Sequence, residues 1–113
     1  MGDQQQQYPL TDLVKEYGDT DFTSNALTVG PQVKTAVLTV GASKTYTLTL
    51  PPVQKWAFQH RSVFLRKLGG GSSVTLKVAL AENWSDQTLD EALDQVVLYS
   101  DGVTARIVYS NLS

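Results

Sequence analysis

Few side chains in this sequence stand where chemistry could be done. The single histidine, His60, lies between Gln59 and Arg61, and the chain has no second histidine and no cysteine. A lone imidazole cannot be half of a usual zinc site, and this one reads as a surface residue. Four carboxylates, Asp86, Asp90, Glu91 and Asp94, crowd one short stretch. Asp86, Asp90 and Asp94 recur every fourth residue, the spacing of one solvated helix face. They lack the alternating ligands and sixth-position glycine of a calcium loop. Gly69-Gly70-Gly71 could cradle a phosphate, but no GK[ST] and no helix start follow, so these glycines read as a turn. No serine sits in a G-x-S-x-G elbow. Asn83-Trp84-Ser85 matches a glycosylation sequon, without meaning where no secretion signal is read. Tyr8, Tyr17, Trp56, Trp84 and Tyr109 could stack on sugar rings, which keeps a host-glycan-binding module as an alternative. The expectation is a protein that is not an enzyme, with no catalytic residue, no metal site and no cofactor.

Composition narrows the class further. The chain has 113 residues, 42% of them apolar, which fits one globular domain with a real core. No segment approaches the 18 or so apolar residues of a membrane helix, and the Gln4–Gln7 tract lacks the regions of a signal peptide. The reading is a soluble protein, used without secretion and independent of membranes.

Charge is segregated along the chain. Residues 1–33 carry Lys15 against Asp3, Asp12, Glu16, Asp19 and Asp21, net −4. Residues 34–81 carry Lys34, Lys44, Lys55, Arg61, Arg66, Lys67 and Lys77 with no acid, net +7. Residues 82–113 carry Arg106 against six acids, net −5. Either the segments meet within one fold, or opposite patches register subunits against one another. Nucleic acid is not expected as a partner, because aromatics are few in the basic segment and the whole protein is acidic.

The elements that would position these residues are mostly strands. In Thr45–Leu50, Tyr46, Leu48 and Leu50 alternate with threonines, the period of a half-buried strand. Residues 35–40 carry a similar run, and Gly41-Ala42-Ser43-Lys44 between them predicts a hairpin that Pro51-Pro52 ends. Ser62–Leu68 and Ser73–Leu80, joined by the glycines, predict a second hairpin. Val96–Ser100 and Val103–Tyr109 around Asp101-Gly102 predict a third, with Leu98 opposite Ala105 and Val96 opposite Ile107. Thr88-Leu89-Asp90-Glu91 fits a capping box and predicts a short helix to about Gln95. Thr11–Tyr17 could make one or two helical turns. Residues 1–33 otherwise read as an extended N-terminal arm that lies along a partner, with 34–113 as the β domain. The expected fold is all-β, a small β-sandwich or partly open barrel built from hairpins, with that arm and one short helix.

The pattern KTYTLTLPP, a strand–Gly–strand segment, then TLDEALDQVVLYSDG and a last strand resembles small β-rich structural proteins of tailed bacteriophages. Leu50-Pro51-Pro52-Val53 and Val97-Leu98-Tyr99-Ser100-Asp101-Gly102 carry the resemblance, which covers roughly residues 26–109. It departs from the pattern at Gln54-Lys55-Trp56-Ala57-Phe58, where the resembled proteins have a small-residue turn. The resemblance implies a virion component made in the host cytoplasm, most simply a capsid decoration (cement) protein. It would bind the major capsid protein or another virion protein and form a homo-oligomer, a trimer at local three-fold positions. A tail or neck adaptor or fibre base is the alternative. Contact is expected through Tyr8, Leu10, Leu13, Tyr17 and Phe22 of the arm and through Trp56, Arg61, Arg66 and Lys67 of the body.

Overall fold

Alternation of burial decides the architecture. Along Thr35–Val40 and Thr45–Leu50 every second residue is buried, so each strand has one apolar face to set against another. A computed structural model describes residues 14–56, 59–67 and 71–112. Among them run nine strands: β1 (Val14–Gly18), β2 (Ala26–Thr28), β3 (Thr35–Val40), β4 (Thr45–Leu50), β5 (His60–Lys67), β6 (Ser73–Val78), β7 (Gln87–Leu89), β8 (Gln95–Ser100) and β9 (Ala105–Asn111). They form two mixed sheets, ordered β1-β3-β5-β8-β9 and β2-β4-β6-β7. The protein is all-β, and neither sheet closes into a barrel.

The chain coils before it folds back. β1, β3 and β5 lie parallel in the first sheet, while β2, β4 and β6 lie parallel in the second. Each odd strand is thus followed by a crossing to the other sheet, and three circuits stack. Val14 sits beside Thr35 and Ala26 beside Thr47, so the first circuit takes 21 residues. The second is longer because the Pro51–Gln59 excursion, with a 3-10 turn at Val53–Lys55, is inserted in it. Antiparallel pairing then ends the coil: β7 on β6, β8 on β5, and β9 on β8. Between the sheets lie Leu38, Leu48, Leu65, Leu76, Leu89 and Leu98, all fully buried.

Polar groups tie the stacked crossings together on one side. The Asp19 carboxylate, just after β1, accepts from the Gly41 and Ala42 N–H groups at the next crossing. The Ser43 hydroxyl accepts in turn from Gly71 N–H, and Ser73 N–H donates to the Lys44 carbonyl. Backbone groups that a sheet ladder cannot reach are satisfied this way.

This arrangement corrects four expectations. β3 and β4 are not a hairpin, nor are β5 and β6, because each pair is split between the sheets. A strand's period of two fixes which side is buried and says nothing about its neighbour. The third hairpin forms with a longer connection: Ser100 lies opposite Ala105 and Leu98 opposite Ile107. Asp101 sets that loop, accepting from Val103 N–H, Thr104 N–H and the Thr104 hydroxyl, with Gly102 at φ +90°. The helix expected from Thr88 is absent, because Gln87–Leu89 pairs with β6 and buries Leu89. The turn that follows is held from its far end, where the Asp94 carboxylate accepts from the Asp90 and Glu91 N–H groups. From residue 14 onward the expected arm belongs to the body. Val14–Gly18 is strand, not helical turn, and Tyr17, Phe22, Val29 and Val33 join the core. Residues 1–13 lie outside the described residues.

Candidate interaction surface

The two outer faces of this stack differ in chemistry. On the second sheet, Ala26, Thr47, Thr75 and Thr88 form one row across β2, β4, β6 and β7. Thr28, Thr49 and Lys77 form the next, and Thr45 lies beside Ser73. This is a hydroxyl surface with one ion pair at its rim, Lys77 to Asp86 at 2.6 Å. Threonine pairs stabilise such a face while leaving it content in water.

The first sheet's outer face carries larger apolar groups. Val14, Thr35, Ser62, Val97 and Tyr109 form one row, and Glu16, Val37, Phe64, Gln95 and Asn111 the next. Val37, Phe64 and Val97 stand outside the core cluster although they sit on central strands. His60 packs against Tyr99 with the rings tilted 57°, centroids 5.0 Å apart. A dent of about 140 Å³ is lined by Lys34, His60, Arg61, Ser62, Gln95 and Val97. Two charges of this face are paired with each other within the chain. Arg66 pairs with Glu16 at 3.2 Å, and the Thr39 hydroxyl donates to the same carboxylate oxygen. With Lys77–Asp86, these contacts join the basic segment to both acidic ones inside a single chain.

The sheet's last strand continues this surface to an edge. β9 has seven residues, and all but Ala105 are exposed. Val108 is 55% and Tyr109 54% accessible, with Ile107 beside them. Short strands, charges and bulges blunt sheet edges. β2 and β7 are only three residues long. β9 has a shift of register at Val97/Leu98 and one charge, Arg106, which Asp101 already engages.

No family model, curated protein or solved structure matches this chain.

The residues expected to make contact scatter across the body. Tyr8, Leu10 and Leu13 lie outside the described residues. Tyr17 and Phe22 are core residues, which corrects their assignment to an outward-facing arm; Phe22 packs on Tyr46 with centroids 4.5 Å apart. Burial pushes the Tyr17 phenol upward. Trp56 is half-buried against the core, its Nε1 donating to the Pro51 carbonyl. Arg66 is exposed and ion-paired on the first sheet's outer face. Lys67 ends β5.

Arg61 is the largest departure. It is 1% exposed, its Nη2 donates to the Gly30 carbonyl at 2.6 Å, and its guanidinium lies 5.3 Å from the Trp56 ring centroid. Burial pushes its pKa down to about 10. An apolar floor and a carbonyl cap replace the exposed basic patch that the sequence suggested. The signal was there: Arg61, Val63 and Leu65 share one parity, and that parity faces inward.

Residues considered for other chemistry have structural partners. Asp86 pairs with Lys77, and Asp94 caps its own turn. Trp84 is half-buried, with Nε1 donating to the Leu76 carbonyl. Among the described aromatics considered for sugar stacking, Tyr109 alone is exposed. What sequence reading missed was the outer face itself. Val37, Phe64 and Val97 belong to strands whose partners lie far away in the chain, so their grouping is not local.

Proposed function

We propose that this chain is a virion structural protein, a decoration protein that binds and stabilises an assembled bacteriophage head as a homotrimer. Two things support the reading. One is the resemblance carried by Leu50–Val53 and Val97–Gly102. The other, which carries most of the weight, is the exposure of three apolar side chains on the edge strand β9, Ile107, Val108 and Tyr109. A chain that works alone gains nothing from such an edge, whereas one that is covered by other proteins buries it usefully.

The mechanism is linkage. A protein that binds only the assembled shell stabilises that shell, by about 2.7 kcal/mol per site at one hundred times its Kd. Because β1 begins at Val14, attachment through an N-terminal arm is left to residues 1–13 in this reading. Residues 14–33 are needed to fold the body.

The test is to measure the protein's mass by light scattering, then sediment it with undecorated shells. A trimer that pellets with shells and raises their disruption temperature is the expected result. A protein that leaves shells unbound, or pellets only with isolated tails, overturns the decoration reading; the second result would make it a tail or neck adaptor.

A further inference from the structure

A buried cation without a counter-ion borders the dent on the first sheet's outer face. Of the six residues that line the dent, Lys34, His60 and Arg61 are basic and none is a carboxylate. Arg61 belongs to the inward parity of β5 and is 1% exposed, so it stands behind the dent, not at its mouth. Its Nη2 reaches the Gly30 carbonyl, but Nε and Nη1 are buried and have no acceptor. We infer that the dent is a binding site for a single oxyanion, a phosphate or carboxylate group, held by Lys34, His60 and Gln95 and backed by the charge of Arg61.

The state of Arg61 is what points to a ligand. Buried donors are nearly always paired, and an orphaned one marks a place where an ion or a water belongs. A buried charge with no counter-ion is costlier still, so a side chain needed only to fill space beneath Trp56 is better supplied by an aliphatic one. Arg66 and Arg106 each have a carboxylate partner. For Arg61 the neighbouring ionisable group that acts on its charge is the Tyr17 phenol, which burial keeps neutral at neutral pH. Water screens so buried a group only weakly, and an anion in the dent is felt without touching the guanidinium.

The surroundings have the same sign. A second dent, of about 170 Å³, includes Gly30, whose carbonyl Arg61 uses, together with Lys15, and again no carboxylate lines it. Clefts walled by one sign of charge concentrate counter-ions. The donors also converge from separate elements, Lys34 just before β3, His60 on β5 and Gln95 on β8. Hydrogen bonds from such groups to an ionised oxygen are among the strong ones. A volume of about 140 Å³ equals that of four or five waters at about 30 Å³ each, which suits one oxyanion.

The test titrates the full chain with inorganic phosphate and, separately, with acetate, each against sodium chloride at equal ionic strength. Binding is read by calorimetry and by the melting temperature, and fold by circular dichroism. The expected result is one ion per chain and a raised melting temperature, with affinity about tenfold weaker in R61M and in K34M. R66M should bind as the parent does, because the Arg66 charge is already engaged by Glu16. Phosphate binding alone supports the site and assigns it to a phosphoryl group. Acetate binding as tight as phosphate supports it and assigns it to a carboxylate, such as an acidic side chain of a partner. K34M carries the test if R61M fails to fold, because Lys34 is exposed. No saturable binding of either ion, or equal weakening in R66M, overturns the site and leaves the Arg61 donors to water.

Discussion

The Tyr46 hydroxyl donates a 2.6 Å hydrogen bond to the carboxylate of Asp19, linking the start of β4 to the end of β1. The same carboxylate accepts from Gly41 and Ala42, so one side chain fastens two successive crossings between the sheets. The Tyr46 pKa is pushed up to about 12, first by this hydrogen bond and then by burial. The Asp19 carboxyl is held below its ordinary range, chiefly by the phenol and also by the two backbone donors.

Removing this clamp should loosen the first circuit. D19A strands a buried phenol and two backbone donors, each costing about 1–3 kcal/mol when left without a partner. Water reaches the partly exposed donors, so a net loss of about 2 kcal/mol is expected from urea unfolding. Y46F keeps the ring against Phe22 and should cost about 1 kcal/mol. Equal stability of D19A and the parent would show that the crossing needs no fastening.

Acid dependence follows from the same carboxylate. Its folded pKa lies below the unfolded value near 3.8, so the unfolded chain takes up the proton first. The stabilisation is complete above pH 3.8 and is lost as pH falls through the lower folded value. Asp101, lowered by Thr104 and Val103 N–H donors and the Thr104 hydroxyl, acts in the same direction. Chemical denaturation between pH 5 and pH 2 should therefore show stability falling with acid, and falling less steeply in D19N.

Arg61 separates packing from charge. R61A opens space beneath Trp56 and leaves the Gly30 carbonyl without its donor, so a loss of about 3 kcal/mol is expected. R61M keeps the stem's volume and removes a buried cation whose desolvation is costly. Its loss should be less than half that of R61A, measured as a difference in melting temperature and urea midpoint. If the two variants are equally unstable, the guanidinium's contact with Gly30 dominates and volume matters little.

These residues also show how far the sequence could be read. Tyr46, Leu48 and Leu50, like Val74, Leu76 and Val78, announce their strands because period two is local. Their partners were not legible, since β4 lies between β2 and β6, each more than twenty residues away along the register. The Gly-Ala-Ser-Lys turn suits a hairpin and a crossing between sheets equally well, and the Asp19 contact that favours crossing is itself long-range. Tyr17 was hidden because a five-residue strand offers too few apolar positions to display a period, and Phe22 because it lies between elements. Asp101-Gly102 marked its turn correctly but not its length, which the Asp101 side chain sets.

The loop at Asp101 governs the free edge strand. Gly102 has φ +90°, where a Cβ is strained even though no atom lies within 4 Å to obstruct it. G102A should cost about 1 kcal/mol. D101A removes the acceptor of Val103, Thr104 and Arg106, and should raise amide exchange in Ala105–Asn111 while β5 stays protected. Uniform exchange across both strands would mean that β9 does not open on its own.

The coiled topology itself can be tested by cross-linking, and the absence of native cysteine makes the experiment clean. Thr35 and Ser62 are register partners on parallel neighbours, with their hydroxyls 3.0 Å apart. Neighbouring strands lie about 4.8 Å apart, within the range a disulfide spans. T35C/S62C should therefore oxidise to an intramolecular bond, seen as a faster band on a non-reducing gel. A β3–β4 hairpin would instead set residue 35 opposite residue 50. T35C/L50C should stay reduced, since these strands belong to different sheets. Cross-linking of the second pair and not the first would reinstate the hairpin and dissolve the stacked circuits, and with them the outer face that β1, β3 and β5 build together.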